Sequence, residues 1–195
     1  MEKAIALDPD LSGSRTGLAE ILWRTGKNDR AAPELEDALR MDPYDASAYN
    51  LMGRILAGRG QAAQSLFAFE KATRLRLGYA PHLYDYALEL SAVNRVDDAQ
   101  ASVQAALRAD PDMAEAHELL GGLLAGRRQL PEAAHEYGEA IRLKPELARA
   151  HLDLARVLAA GGDMPGAIEH LRKAAAGSDP QVAQLAAQAL QRLGQ

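Results

Sequence analysis

The stretch Ala140-Ile141-Arg142-Leu143-Lys144-Pro145 decides the fold of this chain, because its pattern recurs at a fixed spacing. The same alanine, aliphatic and proline positions return around Pro9, Pro43 and Pro111, and Leu77 stands where one further proline would fall. Successive prolines lie 34, 68 and 34 residues apart, so the repeating unit is 34 residues long. A period of this length is typical of a solenoid of stacked helical hairpins, in which no hairpin buries its apolar face alone. The pattern therefore predicts an all-α array whose surface holds another molecule.

Each predicted unit has two halves with different helical patterns. With the proline counted as position 32, five units run 12–45, 46–79, 80–113, 114–147 and 148–181. In the first half, positions 4, 7, 8 and 11 carry mainly apolar or small residues, a spacing that places them on one helix face. In the second half, positions 20, 24 and 27 read small, large, small, as in Ala133, Tyr137 and Ala140. Small residues let two helices approach closely and the large residue fills the gap, so we expect each unit to be a helix-turn-helix pair.

Residues at both ends of the chain fall outside the five units. Residues 1–11 match only the second half of a unit, which we interpret as a truncated repeat in a piece of a longer protein. Residues 182–195 are expected to form one capping helix, because polar Gln188 and Arg192 replace apolar core positions there. The expected organisation is one continuous solenoid domain.

The pattern resembles the tetratricopeptide repeat (TPR) family, whose signature has glycine or alanine at position 8, alanine at positions 20 and 27, and proline at position 32. Gly26, Gly60 and Gly162 stand between the two halves of their units, where the family breaks its helices. The resemblance covers nearly the whole chain. It implies a right-handed superhelix in which the first helices of the units line a concave groove that takes ligands.

Positions 2, 5, 9 and 12 of the first helices would line that groove. The peptide-binding candidates at these positions are aromatic, apolar, amide and charged residues: Trp23, Asn50, Arg54, Tyr84, Leu88, Glu115, Glu118, Arg149 and Arg156. Aromatic residues beside arginine have the composition of binding hot spots, and an asparagine amide can pair with a peptide backbone. The two glutamates would form an acidic spot and the last two arginines a basic one. The alternative is an empty groove with ordinary solvated charges.

A carboxylate clamp for a chaperone C-terminus, the best-defined ligand mode of the family, is not expected. The clamp positions of the family read Asn50, Arg54, Asp85, Glu115 and Leu119 in this chain. The cations of the clamp are missing, and the carboxylates Asp85 and Glu115 at clamp positions would repel an anionic peptide terminus.

Composition and charge exclude several other classes of function. The chain has 22 basic and 27 acidic residues and a net charge of −5, which argues against a nucleic acid partner. No apolar run approaches the about 18 residues of a membrane helix, and the first residues are too few and too charged for a signal peptide, so no membrane insertion is expected. The chain has no cysteine, which is compatible with the cytoplasm and the periplasm alike. Arginine outnumbers lysine 17 to 5, a composition that resembles bacterial proteins.

No pattern in the sequence predicts catalysis or a cofactor. The pair Gly121-Gly122 lacks the preceding strand, the spacing and the lysine of a phosphate-binding loop. The Gly-x-Ser-x-Gly pattern of a nucleophile elbow does not occur. The chain is therefore not predicted to be an enzyme.

The histidines do not predict a metal site. His117 and His151 both occupy position 4, where a packed histidine is expected, and no third ligand has a matching spacing. His82, His135 and His170 fall at other positions and are expected to form no cluster.

Three departures from the repeat pattern predict local irregularities. Arg15 takes an apolar position 4, so the first unit is expected to pack loosely. Leu77 replaces the terminal proline and is expected to lengthen or soften the end of its helix. Pro33 lies within a second half, so that helix is expected to begin a turn late.

The function that the sequence favours is a non-catalytic scaffold that holds a peptide or a helix of a partner protein in the concave groove. One alternative is the regulatory or targeting tail of a larger enzyme whose catalytic domain lies upstream. Another is self-assembly into a homo-oligomer through the half unit at residues 1–11.

Overall fold

The computed structural model describes residues 12–194, and the regular elements in that range are all helices. Their bounds are α1 Ser12–Arg24, α2 Asn28–Met41, α3 Ala46–Gly58, α4 Ala62–Leu75, α5 Ala80–Ala92, α6 Val96–Ala109, α7 Ala114–Gly126, α8 Leu130–Leu143, α9 Ala148–Ala160, α10 Met164–Ala175 and α11 Pro180–Arg192. The predicted half unit at residues 1–11 lies outside the described residues. None of the described helices is both long enough and apolar enough to cross a membrane.

The described helices belong to two compact units, one that ends at Ala109 and one that begins at Asp110. In the first unit, α1 pairs with α2, α3 with α4 and α5 with α6. Helix α3 also contacts α1 and α5, so the first helices of these pairs lie side by side. In the second unit, α7 pairs with α8 and α9 with α10, while α11 packs against α10 and α9 contacts both α7 and α11. Each unit is thus a stack of helix-turn-helix pairs, which is the all-α solenoid architecture that the 34-residue period predicts.

The interior of each hairpin is formed by the small and large positions of the repeat. The alanines at positions 20 and 27 are fully buried where they occur, and the large residue at position 24 lies between them. A Cβ atom on Gly53 would lie 2.8 Å from Cδ1 and Cε1 of Phe69, and one on Gly121 would lie 3.0 Å from Cδ1 of Tyr137. The repeats that have leucine or valine at position 24 carry alanine at position 8. The two glycines are therefore matched to the two aromatic rings by size.

The turn between the two helices of a hairpin uses the left-handed backbone region at the same position in all five repeats. Position 15 is Gly26, Gly60 or Gly162 in three of them, with φ of 74°, 72° and 89°. The other two repeats place Asn94 and Arg128 there, each with φ of 60°. The glycine breaks predicted from the sequence are confirmed, and a non-glycine residue at this position carries a conformational cost.

The expectation that Pro33 delays the start of its helix is wrong, and so is the expectation of a longer helix before Leu77. Helix α2 begins at Asn28 and includes Pro33, which is exposed and forfeits only one backbone hydrogen bond. Helix α4 ends at Leu75 and is 14 residues long, as are α2, α6 and α8. Gly78, with φ of 69°, lies in the loop that follows α4, so the chain leaves the helix without a proline at position 77.

The expectation of loose packing around Arg15 is also wrong. Its Nη1 atom lies 2.8 Å from Oε2 of Glu34 and 3.4 Å from Oδ2 of Asp37 on α2. The Arg15 side chain is only 18% exposed. An ion pair therefore takes the place of an apolar contact between α1 and α2 at this position.

Candidate functional site

In the first unit, helices α1 and α3 and the start of α5 line an open cavity of about 270 Å³. Three of the predicted binding residues, Trp23, Asn50 and Arg54, lie in its wall together with Tyr79 and His82. The other lining residues are Thr16, Glu20, Arg24, Ser47, Leu51 and Pro81. The first helices bury their positions 8 and 11 against the second helices, which leaves positions 5, 9 and 12 on the face that lines the cavity.

Asp85 organises one wall of this cavity. Its side chain is 7% exposed and accepts hydrogen bonds from Nδ2 of Asn50 at 2.7 Å and from Nε of Arg54 at 2.8 Å. The guanidinium carbon of Arg54 lies 5.2 Å from the centroid of the Trp23 ring, within the range of a cation–π contact. The carboxylate therefore balances the charge of Arg54 and holds it beside the indole.

From the sequence, Asp85 was noted only as one of the residues that do not match the carboxylate clamp. It lies 35 residues after Asn50 and 31 after Arg54, which is one repeat length plus or minus a few residues. Asp85 could have been identified by this spacing, because it places a carboxylate one repeat after an amide and an arginine on the preceding first helix.

Two polar atoms of residues in the cavity wall have no hydrogen-bond partner. They are Oδ1 of Asn50 and Nδ1 of His82, and both residues are more than nine-tenths buried. Burial lowers the pKa of His82 below its ordinary value, although a backbone hydrogen bond to Ala72 and the charge of Asp85 act in the opposite direction. The His82 ring is therefore mainly neutral at pH 7, with one nitrogen as a donor and the other as an acceptor.

The predicted residues Tyr84 and Leu88 lie on α5 and do not line this cavity. Tyr84 is half-buried, whereas Leu88 is 41% exposed. In the first unit the cavity thus brings together three of the five predicted residues.

In the second unit the predicted basic residues pair with acidic ones. Nε of Arg149 lies 3.9 Å from Oε1 of Glu118 and 3.9 Å from Oδ2 of Asp153. Arg156 donates from Nη1 to Oδ1 of Asp153 at 2.9 Å. The face is a network of mixed charge rather than the separate acidic and basic spots expected from the sequence, which did not take Asp153 into account.

The two glutamates of this face respond differently to their surroundings. Glu115 is paired with Lys144, and this hydrogen bond lowers the pKa of the Glu115 carboxyl. Burial raises the pKa of Glu118, and the nearby charge of Asp153 raises it further. Of the two, Glu118 is therefore the one whose negative charge is less stabilised by the protein.

His170 has a partner that the sequence did not predict. Its Nδ1 atom lies 2.8 Å from Nδ1 of His151, and Nε2 of His151 lies 3.0 Å from the carbonyl oxygen of Pro145. The two histidines occupy positions 4 and 23 of one repeat, which face each other across the hairpin. In the preceding repeat, the same two positions hold His117 and Glu136, whose Nδ1 and Oε2 atoms lie 2.6 Å apart.

The His151–His170 pair makes stability depend on pH. Only one proton fits between the two Nδ1 atoms, and burial lowers the pKa of both rings, with the charge of His151 lowering that of His170 further. The folded chain therefore binds fewer protons than the unfolded chain once the pH falls below about 6.5, the ordinary pKa of histidine. The stability of the second unit should be complete above that value and should fall as the pH falls through it.

A second cavity of about 360 Å³ lies between α9, α10 and α11. Its wall is mostly apolar and includes the half-exposed side chains of Met164, Leu185 and Leu193. The predicted residue Arg156 lies at this cavity as well as in the mixed-charge network.

Within residues 12–194, no three histidine, aspartate or glutamate side chains come together in a way that could hold a metal ion. The groups that line the first cavity are hydrogen-bond donors and acceptors beside an aromatic ring. This arrangement is suited to binding a ligand by shape and hydrogen bonds.

A family profile described as "Tetratricopeptide repeat" matches residues 16–78, 84–146 and 123–183. The chain belongs to the tetratricopeptide repeat family. No curated protein matches the TPR chain closely enough in sequence to count as a relative.

Several solved structures share the TPR fold. YrrB, described as a TPR protein with an unusual peptide-binding site, is 23% identical with a TM-score of 0.74, and the match covers 96% of this chain and 97% of YrrB. MamA from Desulfovibrio magneticus RS-1 is 24% identical with a TM-score of 0.74, over 84% of this chain and 92% of that structure. The Pseudomonas aeruginosa protein pilF is 18% identical with a TM-score of 0.81, over 89% and 83% of the two chains. At these identities the similarity shows the fold alone.

Proposed function

We propose that this chain is a non-catalytic scaffold that binds a peptide or a helix of a partner protein along its first helices. The observation that carries the proposal is the cavity of the first unit, whose wall combines Trp23, Asn50 and Arg54. Stacked repeats form extended binding surfaces of this kind. The similarity to YrrB, which is described as having a peptide-binding site, supports the same use of a TPR array.

The wall of the cavity is held in place before a ligand arrives. Arg54 is anchored on Asp85 at 2.8 Å and lies beside the Trp23 ring, and Asn50 is anchored on the same carboxylate. Side chains that are already ordered lose little conformational entropy on binding, which favours affinity. Trp23 is the apolar anchor of the site in this proposal, and Asn50 and Arg54 are its polar contacts.

Residues outside the cavity extend the proposed surface. Tyr84 and Leu88 are proposed as further apolar anchors on α5. In the second unit, the four charged candidates Glu115, Glu118, Arg149 and Arg156 are proposed to contact a partner protein through their charges. Exposed ion pairs contribute little to affinity but discriminate between partners, so their role is specificity.

Site-specific photo-cross-linking tests the proposal. The photoreactive amino acid p-benzoylphenylalanine is placed at Ser47, an exposed residue of the cavity wall, and the protein is irradiated in an extract of the source organism. The matched control carries it at Glu36, an exposed residue on the second helix α2. We expect discrete cross-linked products when the photoreactive residue is at Ser47, and we expect them to disappear when the same chain also carries Trp23→Ala. The control with the photoreactive residue at Glu36 should give none of these products.

Two results would contradict the proposal. Identical products from both positions would mean that the first-helix face does not select the partner. Products from Glu36 alone would place the partner on the second helices. Circular dichroism of every variant checks that helicity is unchanged.

A further inference from the structure

The cavity between α9, α10 and α11 presents apolar side chains that a ligand in contact with the solvent can reach. Met164, Leu185 and Leu193 line it and are 36%, 48% and 40% exposed. Covering large aliphatic side chains of this kind removes apolar surface from water, which favours the binding of an apolar group. Methionine adds an adaptable side chain that can pack against ligands of different shape. The cavity is therefore suited to an aliphatic side chain of a ligand.

The repeat pattern explains why this space is open. Position 12 is Trp23 in the first repeat, whereas the fifth repeat has Ala159 at that position, and Ala159 lines the cavity. Ala155, one turn earlier on α9, also lines it. Two alanines on the same helix face leave a recess that longer side chains would fill.

Helix α11 contributes both an aliphatic side chain and a cation to the wall. It buries Val182 and Ala186 against α9 and α10. Leu185, Gln188 and Arg192 follow one another at the spacing i, i+3 and i+7, and all three line the cavity. The packing of α11 thus places an apolar contact and a positive charge along one wall.

The charges of the wall select among possible ligands. Among the described residues, none that lines this cavity is acidic, whereas Arg156 and Arg192 are basic. Arg156 is paired with Asp153 at 2.9 Å. Arg192 is exposed and makes no ion pair within residues 12–194. A positive charge without a counter-charge beside the cavity favours a carboxylate in the ligand and disfavours an ammonium group.

We propose that this cavity binds an acidic segment of a partner protein in which an aliphatic side chain lies next to a glutamate or an aspartate. The inference rests on the proposed function and names the chemistry of the ligand that the second unit selects. The aliphatic side chain contacts Met164, Leu185 and Leu193, and the carboxylate lies at Arg192. None of these four residues was among the groove positions assigned from the sequence.

Three capped peptides test the two parts of the proposal: acetyl-Leu-Leu-Glu-amide, acetyl-Leu-Leu-Lys-amide and acetyl-Ser-Ser-Glu-amide. The caps remove the terminal charges, so the peptides differ only in side-chain charge or in aliphatic surface. Each is titrated into the full chain carrying ¹³C-labelled methionine and leucine methyl groups, and the shifts of Met164, Leu185 and Leu193 are followed.

We expect the Leu-Leu-Glu peptide to give saturable shifts. The Leu-Leu-Lys peptide should bind at least about threefold more weakly, because an exposed charge pair changes affinity by up to about fivefold. The Ser-Ser-Glu peptide should bind at least about tenfold more weakly, because it lacks the aliphatic surface. Binding of either control peptide that equals or exceeds that of the Leu-Leu-Glu peptide would overturn the proposal.

A charge reversal attributes the selectivity to Arg192. In Arg192→Glu, the preference should reverse, so that the lysine peptide binds more tightly than the glutamate peptide. Arg108→Glu is the matched control, because Arg108 is also an exposed arginine in the last turn of a helix and the variant has the same net charge. This control should keep the preference of the parent chain. An unchanged preference in Arg192→Glu would overturn the proposal.

A second variant tests the apolar contact. Leu185→Gln should weaken binding of the Leu-Leu-Glu peptide about threefold or more, because it removes aliphatic surface from the wall. Ile21→Gln is its matched control, since Ile21 is 46% exposed and lies on α1 in the first unit. It should bind the peptide as the parent chain does. If Leu185→Gln does not fold, Arg192→Glu carries the test.

The outcomes separate this inference from the proposed function. If no peptide saturates while photo-cross-linking from Ser47 gives its products, the inference about the second unit fails and the scaffold proposal stands. If the Leu-Leu-Glu peptide binds selectively but the cross-links from Ser47 are absent, the cavity of the second unit is a binding site and the scaffold proposal fails.

Discussion

Replacing Gly53 by alanine should destabilise the protein, although alanine is the better helix former. The added Cβ would lie 2.8 Å from two carbons of the Phe69 ring and 3.0 Å from a third, well inside the about 3.5–4.0 Å of a favourable carbon–carbon contact. Phe69 is 2% exposed, so the ring has no open space to move into. Either α3 and α4 must separate or the ring must leave its preferred rotamer.

The size of the effect follows from two opposing contributions. Overpacking a core by one methyl group costs about 1–3 kcal/mol. Alanine in place of glycine inside a helix contributes about 1 kcal/mol in the opposite direction. We therefore expect Gly53→Ala to lower the free energy of unfolding by about 1 kcal/mol. At Gly58, the last residue of the same helix, an added Cβ would meet no atom within 4 Å, so Gly58→Ala should leave stability unchanged or raise it.

A double-mutant cycle tests the stated cause. Phe69→Leu alone leaves a cavity, whereas Gly53→Ala with Phe69→Leu restores the alanine–leucine combination found in the first and fifth repeats. We expect a favourable coupling free energy of about 1–2 kcal/mol, measured by urea unfolding with far-UV circular dichroism. A coupling below about 0.5 kcal/mol would refute the reasoning, since independent sites add to within that value. A Gly53→Ala variant as stable as Gly58→Ala would refute it directly.

Three further predictions concern the pairs and turns of the fold. His170→Glu should give His151 the same kind of partner that His117 has. The loss of stability that we expect in the parent chain between pH 7 and 5.5, about 1–2 kcal/mol, should therefore disappear in this variant. Urea unfolding of both proteins at each pH measures the difference. An equal loss in both proteins would mean that other groups cause it. Arg128→Gly should raise the free energy of unfolding by about 0.5–1 kcal/mol, because residue 128 has φ of 60°, a left-handed conformation that glycine adopts at lower cost than arginine. An unchanged midpoint in thermal unfolding would contradict this prediction. Asp85→Asn should lower the free energy of unfolding by about 1–3 kcal/mol and alter the fluorescence of the single tryptophan, because Arg54 loses its anchor. An unchanged emission spectrum would mean that the carboxylate does not position the guanidinium.

The repeat pattern predicted the helical hairpins because the contacts that define them are local and recur. Positions 8 and 24 meet within one hairpin, and the requirement for close packing appears five times, as in Gly53 with Phe69. The glycine breaks at Gly26, Gly60 and Gly162 were predicted for the same reason. Aligning the repeats position by position would also have identified Asn94 and Arg128 as left-handed residues.

The candidate site was predicted only in part, because it depends on contacts between helices of different repeats. Trp23, Asn50 and Arg54 were assigned from their helical positions, and they do line one cavity. The roles of Asp85 and His82 depend on individual side-chain directions, to which the repeat signature is insensitive. The sequence does not distinguish Asp85 from any other polar residue on the helix, because its partners Asn50 and Arg54 come from the first helix of the preceding repeat.

The sequence by itself determined the fold class, the length of the repeat, the family and the set of side chains that face away from the hairpin core. It did so because periodic burial on a helix is a one-dimensional property that the order of residues contains. Only the tertiary structure decided which of those side chains meet. The pairing of His151 with His170 across 19 residues and of Asn50 with Asp85 across 35 arises from the packing of separate helices. That packing also buries Oδ1 of Asn50 and Nδ1 of His82 without a hydrogen-bond partner, which no pattern in the sequence predicts.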